Sequence, residues 1–128
     1  RMASHNMPQT ERLAGMLGLA TRAGKLIIGS NLTVAAVREA EYLKKGKKTP
    51  HLVLLATDAS DNTKKKIQNC CTYHQVAYFV IPLSASELGH AIGNGMDVSA
   101  IGIADVGFSE AVKKILLQYS NADKPQEV

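Results

Sequence analysis

The sequence predicts an α/β fold, a single three-layer α/β/α sandwich, and three observations carry that prediction. Segments with a helical apolar period alternate with short apolar runs of strand length, as in sheets covered by helices. Four such runs interleave with five helical segments, with no internal repeat or linker between them. The 128 residues are 45% apolar and 20% charged, a globular composition long enough for one core without disulfide or metal staples.

The elements follow in order. Leu13, Met16, Leu17 and Ala20 recur at i, i+3, i+4 and i+7, so a helix is expected over about 9–21. Gly15 and Gly18 inside it each cost about 1 kcal/mol against alanine, which argues for close packing there. Residues 25–28 read as a short strand that stops at Gly29-Ser30-Asn31. Thr33, Ala36, Val37 and Ala40 mark the buried stripe of a second helix that ends near the lysine cluster at 44–48. Pro50 precedes HLVLLAT, an apolar run typical of a strand covered on both faces. DASDNT reads as a loop ending in cap-forming residues, so the third helix is expected to begin at Lys64. Its stripe is Ile67, Cys70, Cys71 and His74. VAYFVI is the next strand, and PLSASELGHAIG a short helix opened by a Ser84–Glu87 capping box. GNG turns the chain into the last strand, VSAIGIA. Val112, Ile115, Leu116 and Tyr119 form the stripe of the final helix. Residues 1–6 read as an expression-tag remnant, 7–120 as one domain and 121–128 as a polar, frayed tail.

Charge and composition narrow the function classes. No apolar run approaches the roughly 18 residues that suggest a membrane span, and no signal peptide is visible, so no membrane partner and a cytoplasmic location are expected. The formal charge is +4, and the clusters Lys44–Lys48 and Lys64–Lys66 hold seven of the fifteen basic residues. Such lumps suit the steering of a polyanion, and they suit a solvated surface equally well.

The chemistry-bearing residues are few. Cys70, Cys71 and His74 invite a metal reading, but structural zinc needs four ligands, and adjacent cysteines give poor geometry. No other cysteine exists, and all three residues continue the apolar stripe from Ile67, so they are expected in the core with no metal. A hydrolase built on Cys70 and His74 would need an orienting third group and an accessible thiol, and neither has a signal here. No phosphate-binding glycine loop of the nucleotide-binding kinds occurs. No catalytic residue and no cofactor are therefore expected. Gly29-Ser30-Asn31 is more promising. A helix start presents unpaired N–H groups and the positive end of the dipole, and glycine permits close backbone approach by an anion. Ser30 and Asn31 add donors, and an asparagine amide can pair with a base edge. Lys25, four residues before Gly29, is near enough in sequence to supply a phosphate contact. The same tripeptide is also an ordinary capping sequence.

The stretches RAGKLIIGSNLTVAAV, LVLLATDASDNTKKK and SELGHAIG together resemble the kink-turn-binding ribosomal protein family of the archaeal and eukaryotic large subunit, nearest to its bacterial YlxQ-type branch. The resemblance runs from about Leu13 to Leu116. It implies a four-stranded mixed sheet and non-catalytic binding of structured RNA, with ribosomal RNA and the ribosome or translation machinery as partners. In relatives, the start of the second helix and the loop before the last strand read a kinked RNA duplex. Carried over, the family's Gly-x-Asn falls on Gly29, Ser30 and Asn31, whose asparagine touches guanine edges of sheared G·A pairs. Lys25 matches a basic position. The apolar contact loop falls on Asn94 to Val98, where Met96 and Val98 are expected to cover an extruded base. Three positions depart from the family. Leu32 stands for a glutamate, Ala35 for a lysine, and Ile28 for a lysine before the glycine. RNA binding with relaxed kink-turn selectivity is thus the expectation, and a protein–protein adaptor on the same fold is the alternative.

Overall fold

In the computed structural model, which describes residues 9–40 and 49–123, helices and strands alternate almost without interruption. The order is α1 (Gln9–Arg22), β1 (Leu26–Ile28), α2 (Ser30–Glu39), β2 (Leu52–Leu55), α3 (Asp61–His74), β3 (Ala77–Val80), α4 (Ala85–Ala91), β4 (Ala100–Ile103) and α5 (Val106–Asp123). The tag-like residues 1–6 and the lysine cluster at 44–48 lie outside the described residues, as do 124–128 and the side chain of Tyr119.

The four strands form one sheet in the order β1-β4-β2-β3. β2 and β3 are parallel, while β4 runs antiparallel to both of its neighbours, β1 and β2. β4 is thus the single reversed strand of a mixed sheet. Strands β2 and β4 are buried throughout, as the continuous apolar run of β2 demands.

Alternation along the strands sorts the core into two layers. Leu52, Leu54, Ile101 and Ile103 point to one face, where α1, α4 and α5 cover them with Leu13, Leu17, Leu88, Val112, Ile115 and Leu116. Val53, Leu55 and Ala100 point to the other, against Val34 and Val37 of α2 and Ile67, Cys70 and Cys71 of α3. Three helices on one side and two on the other complete the α/β/α sandwich.

Several expectations shift in detail. α3 starts three residues earlier than predicted, because Ser60 is its N-cap and Asp61, Asn62 and Thr63 form its first turn. The Ser60 hydroxyl accepts from Thr63 N at 3.1 Å. Polar residues that favour loops also favour first turns, which hides this boundary. On α2 the buried positions are Thr33, Val34 and Val37, while Ala36 and Ala40 are half-buried. Gly18 does pack closely, since a Cβ there would stand 3.4 Å from the Ala91 carbonyl oxygen, but Gly15 is exposed with nothing within 4 Å. His74 is half-buried at the end of α3, edge-on to the exposed Tyr73 ring. The final helix runs to Asp123, through residues read as tail.

Candidate nucleic-acid interface

Reversal of β4 decides what meets at the sheet edge. β1, β2 and β3 end at the same edge, at which β4 begins. Gly29 N donates to Ala100 O at 2.9 Å, Ala56 N to Ser99 O at 2.8 Å, and Thr57 N to Leu83 O at 2.8 Å. The starts of α2, α3 and α4 and the loop that enters β4 therefore lie along one rim.

The three helix starts differ. α4 opens with a complete capping box: the Ser84 hydroxyl accepts from Glu87 N at 3.0 Å, and Ser84 N donates to Glu87 Oε1 at 2.8 Å. α3 is capped by Ser60. α2 has no side-chain cap at all. Its N-cap is Gly29, at φ 106 and ψ 147, a backbone region essentially restricted to glycine. Within the capping sequence Gly29-Ser30-Asn31 it is Gly29 that takes the N-cap position, by backbone conformation and not by a side-chain bond. Ser30 is already the first helical residue, so its hydroxyl lies past the capping position. Among the described residues no side chain caps the leading N–H groups of α2, which a helix start leaves without intrahelical partners.

Asn31 is exposed, and its Oδ1 accepts from Lys66 Nζ at 3.0 Å across the α2–α3 pair. Lys64 Nζ donates to Thr57 O at 3.1 Å, so the cluster at 64–66 reaches this rim. Lys25 does not. It precedes β1 while Gly29 follows it, which separates them along the strand by four residues, on the order of 13 Å. An extended strand places its two flanks at opposite edges of the sheet, however near they are in sequence. The lysine that meets Asn31 comes from 35 residues away.

The second half of the rim is the α4–β4 loop. Gly93 and Gly95 both take positive φ, 69 and 79, and turn the chain between Ile92 and Met96. Gly89 is buried in α4, and any Cβ on it would overlap the Met96 carbonyl oxygen. Asn94 N donates to Gly89 O at 2.9 Å and Val98 N to Ala85 O at 3.0 Å, so the loop is laced to α4. Asp58 Oδ1 accepts from Ala85 N at 2.7 Å, which ties in the β2–α3 loop as well. Asn94 is exposed, and the Met96 side chain is 74% exposed. Val98, expected beside Met96 as a contact residue, is only 4% exposed and packs in the α1–α4–α5 core. Val98 precedes β4, and its bond to Ala85 O turns it in under α4, so it supports the loop from beneath. Ser86, His90, Gly93, Gly95, Met96 and Asp97 line an open cleft of about 420 Å³ beside the loop.

The departures from the family also acquire places. Leu32 is 64% exposed on the α2 start, Ala35 is half-buried, and Ile28 packs against the main core. Cys70 and Cys71 are buried free thiols. Burial, and then the neighbouring Cys70, push the Cys71 thiol up to about 12. Among the described residues no group of three or more His, Cys, Asp or Glu is placed to hold a metal ion. No described helix is long and apolar enough to cross a membrane.

Known proteins share this architecture. The profile of the ribosomal protein L7Ae/L30e/S12e/Gadd45 family matches residues 11–113. The RNA-binding protein YlxQ of Enterococcus faecium is 37% identical over 111 residues, which cover 87% of this chain and 97% of that protein. The large ribosomal subunit protein eL30 of Pyrobaculum neutrophilum is 32% identical over 77% of this chain and 90% of its own length. Among solved structures, a protein of unknown function from Bacillus halodurans superposes with a TM-score of 0.70 at 33% identity, covering 81% of this chain and 95% of that one. The 15.5 kD RNA-binding protein of Giardia lamblia shares the fold at a TM-score of 0.60 and 20% identity, over 88% of each chain.

Proposed function

The chain belongs to the ribosomal protein L7Ae/L30e/S12e/Gadd45 family, and from that membership we propose that it binds structured RNA, of ribosomal or kink-turn type, without catalysing a reaction on it. The observation that carries the reading is the rim itself. Its one helix start without a side-chain cap, that of α2, lies on the same sheet edge as an exposed apolar loop.

Each part has a chemical task. The open N–H groups of α2 and the dipole behind them accept phosphate oxygens, and Gly29 lets the RNA backbone approach. Asn31 faces a base edge. Met96, over its cleft, supplies an apolar cover for a base turned out of the stack. Lys64 and Lys65 contribute phosphate contacts, which fix position rather than sequence. Gly29, Ser30, Asn31, Asn94 and Met96 thus form the contact set, with Lys64 rather than Lys25 as the basic contact at the rim and with Val98 as a support. The missing charges at Ile28, Leu32 and Ala35 relax selectivity for kink-turns while general RNA binding persists. The setting is a cytoplasmic ribosome or a related ribonucleoprotein.

Fluorescence anisotropy with a standard kink-turn RNA and a straight duplex, each across a salt series, tests the reading. Saturable binding that weakens steeply with salt is expected, by about one counterion per phosphate contact. Absence of saturable binding to either RNA at low salt, or a salt-independent affinity, would sink it.

A further inference from the structure

Asn31 is the residue of the α2 start whose side chain is already held. An asparagine amide has one acceptor oxygen and two donor hydrogens. When both functions are free, it can pair bidentately with adenine, whose N6 donates and N7 accepts. In this protein the oxygen is engaged: Asn31 Oδ1 accepts from Lys66 Nζ at 3.0 Å. Lys66 has no carboxylate partner among the described residues, so its ammonium is not drawn away from that oxygen. The bond crosses from α3 to α2, two helices packed side by side on the same face of the sheet, and their shared core of Val34, Val37, Ile67 and Cys70 fixes the spacing. What remains for a ligand is the amide N–H pair.

We propose that Lys66 is a positioning residue: it holds the Asn31 carbonyl oxygen so that Asn31 offers donors only, and thereby biases the α2 start toward a base edge with two acceptors, the O6 and N7 of guanine, over adenine. The inference rests on the reading that this helix start contacts RNA, and it deepens that reading by assigning the base preference to a residue outside α2. A lysine that only touched phosphate would strengthen binding to every RNA alike. A lysine that orients Asn31 changes which base is preferred.

The test has one arm without RNA and one with it. In the free protein, ¹⁵N relaxation of the Asn31 side-chain amide should show restricted motion. Lys66→Met should release that restriction, and Lys66→Arg, which restores a charged donor, should retain it. For binding, a kink-turn RNA is compared with a twin in which 7-deazaguanine replaces the guanines of the sheared pairs. That change turns the N7 acceptor into a C–H and leaves the sheared pairing intact. Wild type should bind the twin about tenfold more weakly, the lower range for a base-edge contact. Lys66→Met should narrow that ratio to about threefold or less while Lys66→Arg keeps it. On an Asn31→Ala background the ratio should be near one whether or not Lys66 is replaced. If Lys66→Met weakens both RNAs by the same factor, with the ratio intact and the Asn31 amide unchanged, Lys66 is a phosphate contact and the proposal is wrong while RNA binding stands. If wild type binds neither RNA, the RNA reading falls and takes this proposal with it.

Discussion

Gly89→Ala is the substitution whose consequence the structure specifies best. Alanine adds one methyl group on α4, in the direction of the Met96 carbonyl oxygen, and the two overlap unless the loop moves. The neighbour is backbone rather than a flexible side-chain end, so relief requires displacing the chain around Met96. That displacement strains two hydrogen bonds, Asn94 N to Gly89 O at 2.9 Å and Val98 N to Ala85 O at 3.0 Å. Overpacking of this kind costs about 1–3 kcal/mol, and each weakened hydrogen bond about 0.5–1.5 kcal/mol. Against this, alanine in a helix gains about 1 kcal/mol over glycine. The net expectation is a destabilisation of about 3 kcal/mol, hence a urea midpoint lower by about 1.5 M for an m-value near 2 kcal/mol/M. Gly15→Ala is the internal control. Position 15 is exposed in α1 with nothing within 4 Å, so only the helix gain remains, and stability should rise by about 0.5–1 kcal/mol. Equilibrium urea unfolding of both variants measures the contrast. A Gly89→Ala midpoint at or above wild type, with an unchanged m-value, would refute the claim that α4 and the loop meet backbone to backbone.

Three further outcomes are expected. Gly29→Ala should destabilise by about 1–3 kcal/mol, because the strain at φ 106 arises although space for the methyl is free, and urea unfolding reads it. Asn31→Ala should leave the unfolding free energy within about 0.5 kcal/mol of wild type, since Asn31 is exposed and does not cap α2, while weakening binding of kink-turn RNA about tenfold in an anisotropy titration. The Cys71 thiol, raised to about 12 from 9.0, makes folding sensitive to alkaline pH. Below about pH 9 both states hold the proton and the contribution is complete. Between about 9 and 12 the unfolded state binds fewer protons, so stability should fall, and Cys71→Ala should flatten that limb of a stability–pH profile.

Much of this architecture is readable in the residues, for reasons that differ by element. The period of α1 and the run in β2 report burial directly, because a face either is or is not covered. The Ser84–Glu87 capping box is legible since both partners lie within one turn. Strand order is not encoded in periodicity, and it was the resemblance to a family that pointed to a mixed sheet. The helix start at Gly29 is legible because its signal lies in one local motif. Lys25 and Gly29 flank opposite ends of β1, a separation that four residues of sequence do not reveal. Lys66 looked like one of three solvated lysines, and its bond to Asn31 exists only once α2 and α3 pack on the same face. Gly89 carried no local signal, since its constraint comes from a backbone segment that returns seven residues later.

The division of the core into two layers bears on what a bound ligand does to the protein. The α2 start is anchored through the layer made with α3, and the Met96 loop through the layer made with α1, α4 and α5. A molecule that grips both therefore stitches the two layers together across the sheet margin, closing a bridge that the protein alone leaves to four short strands. Occupancy should then couple the opening of one layer to the other, so that amide exchange in α2 and α4 slows in concert when ligand is bound.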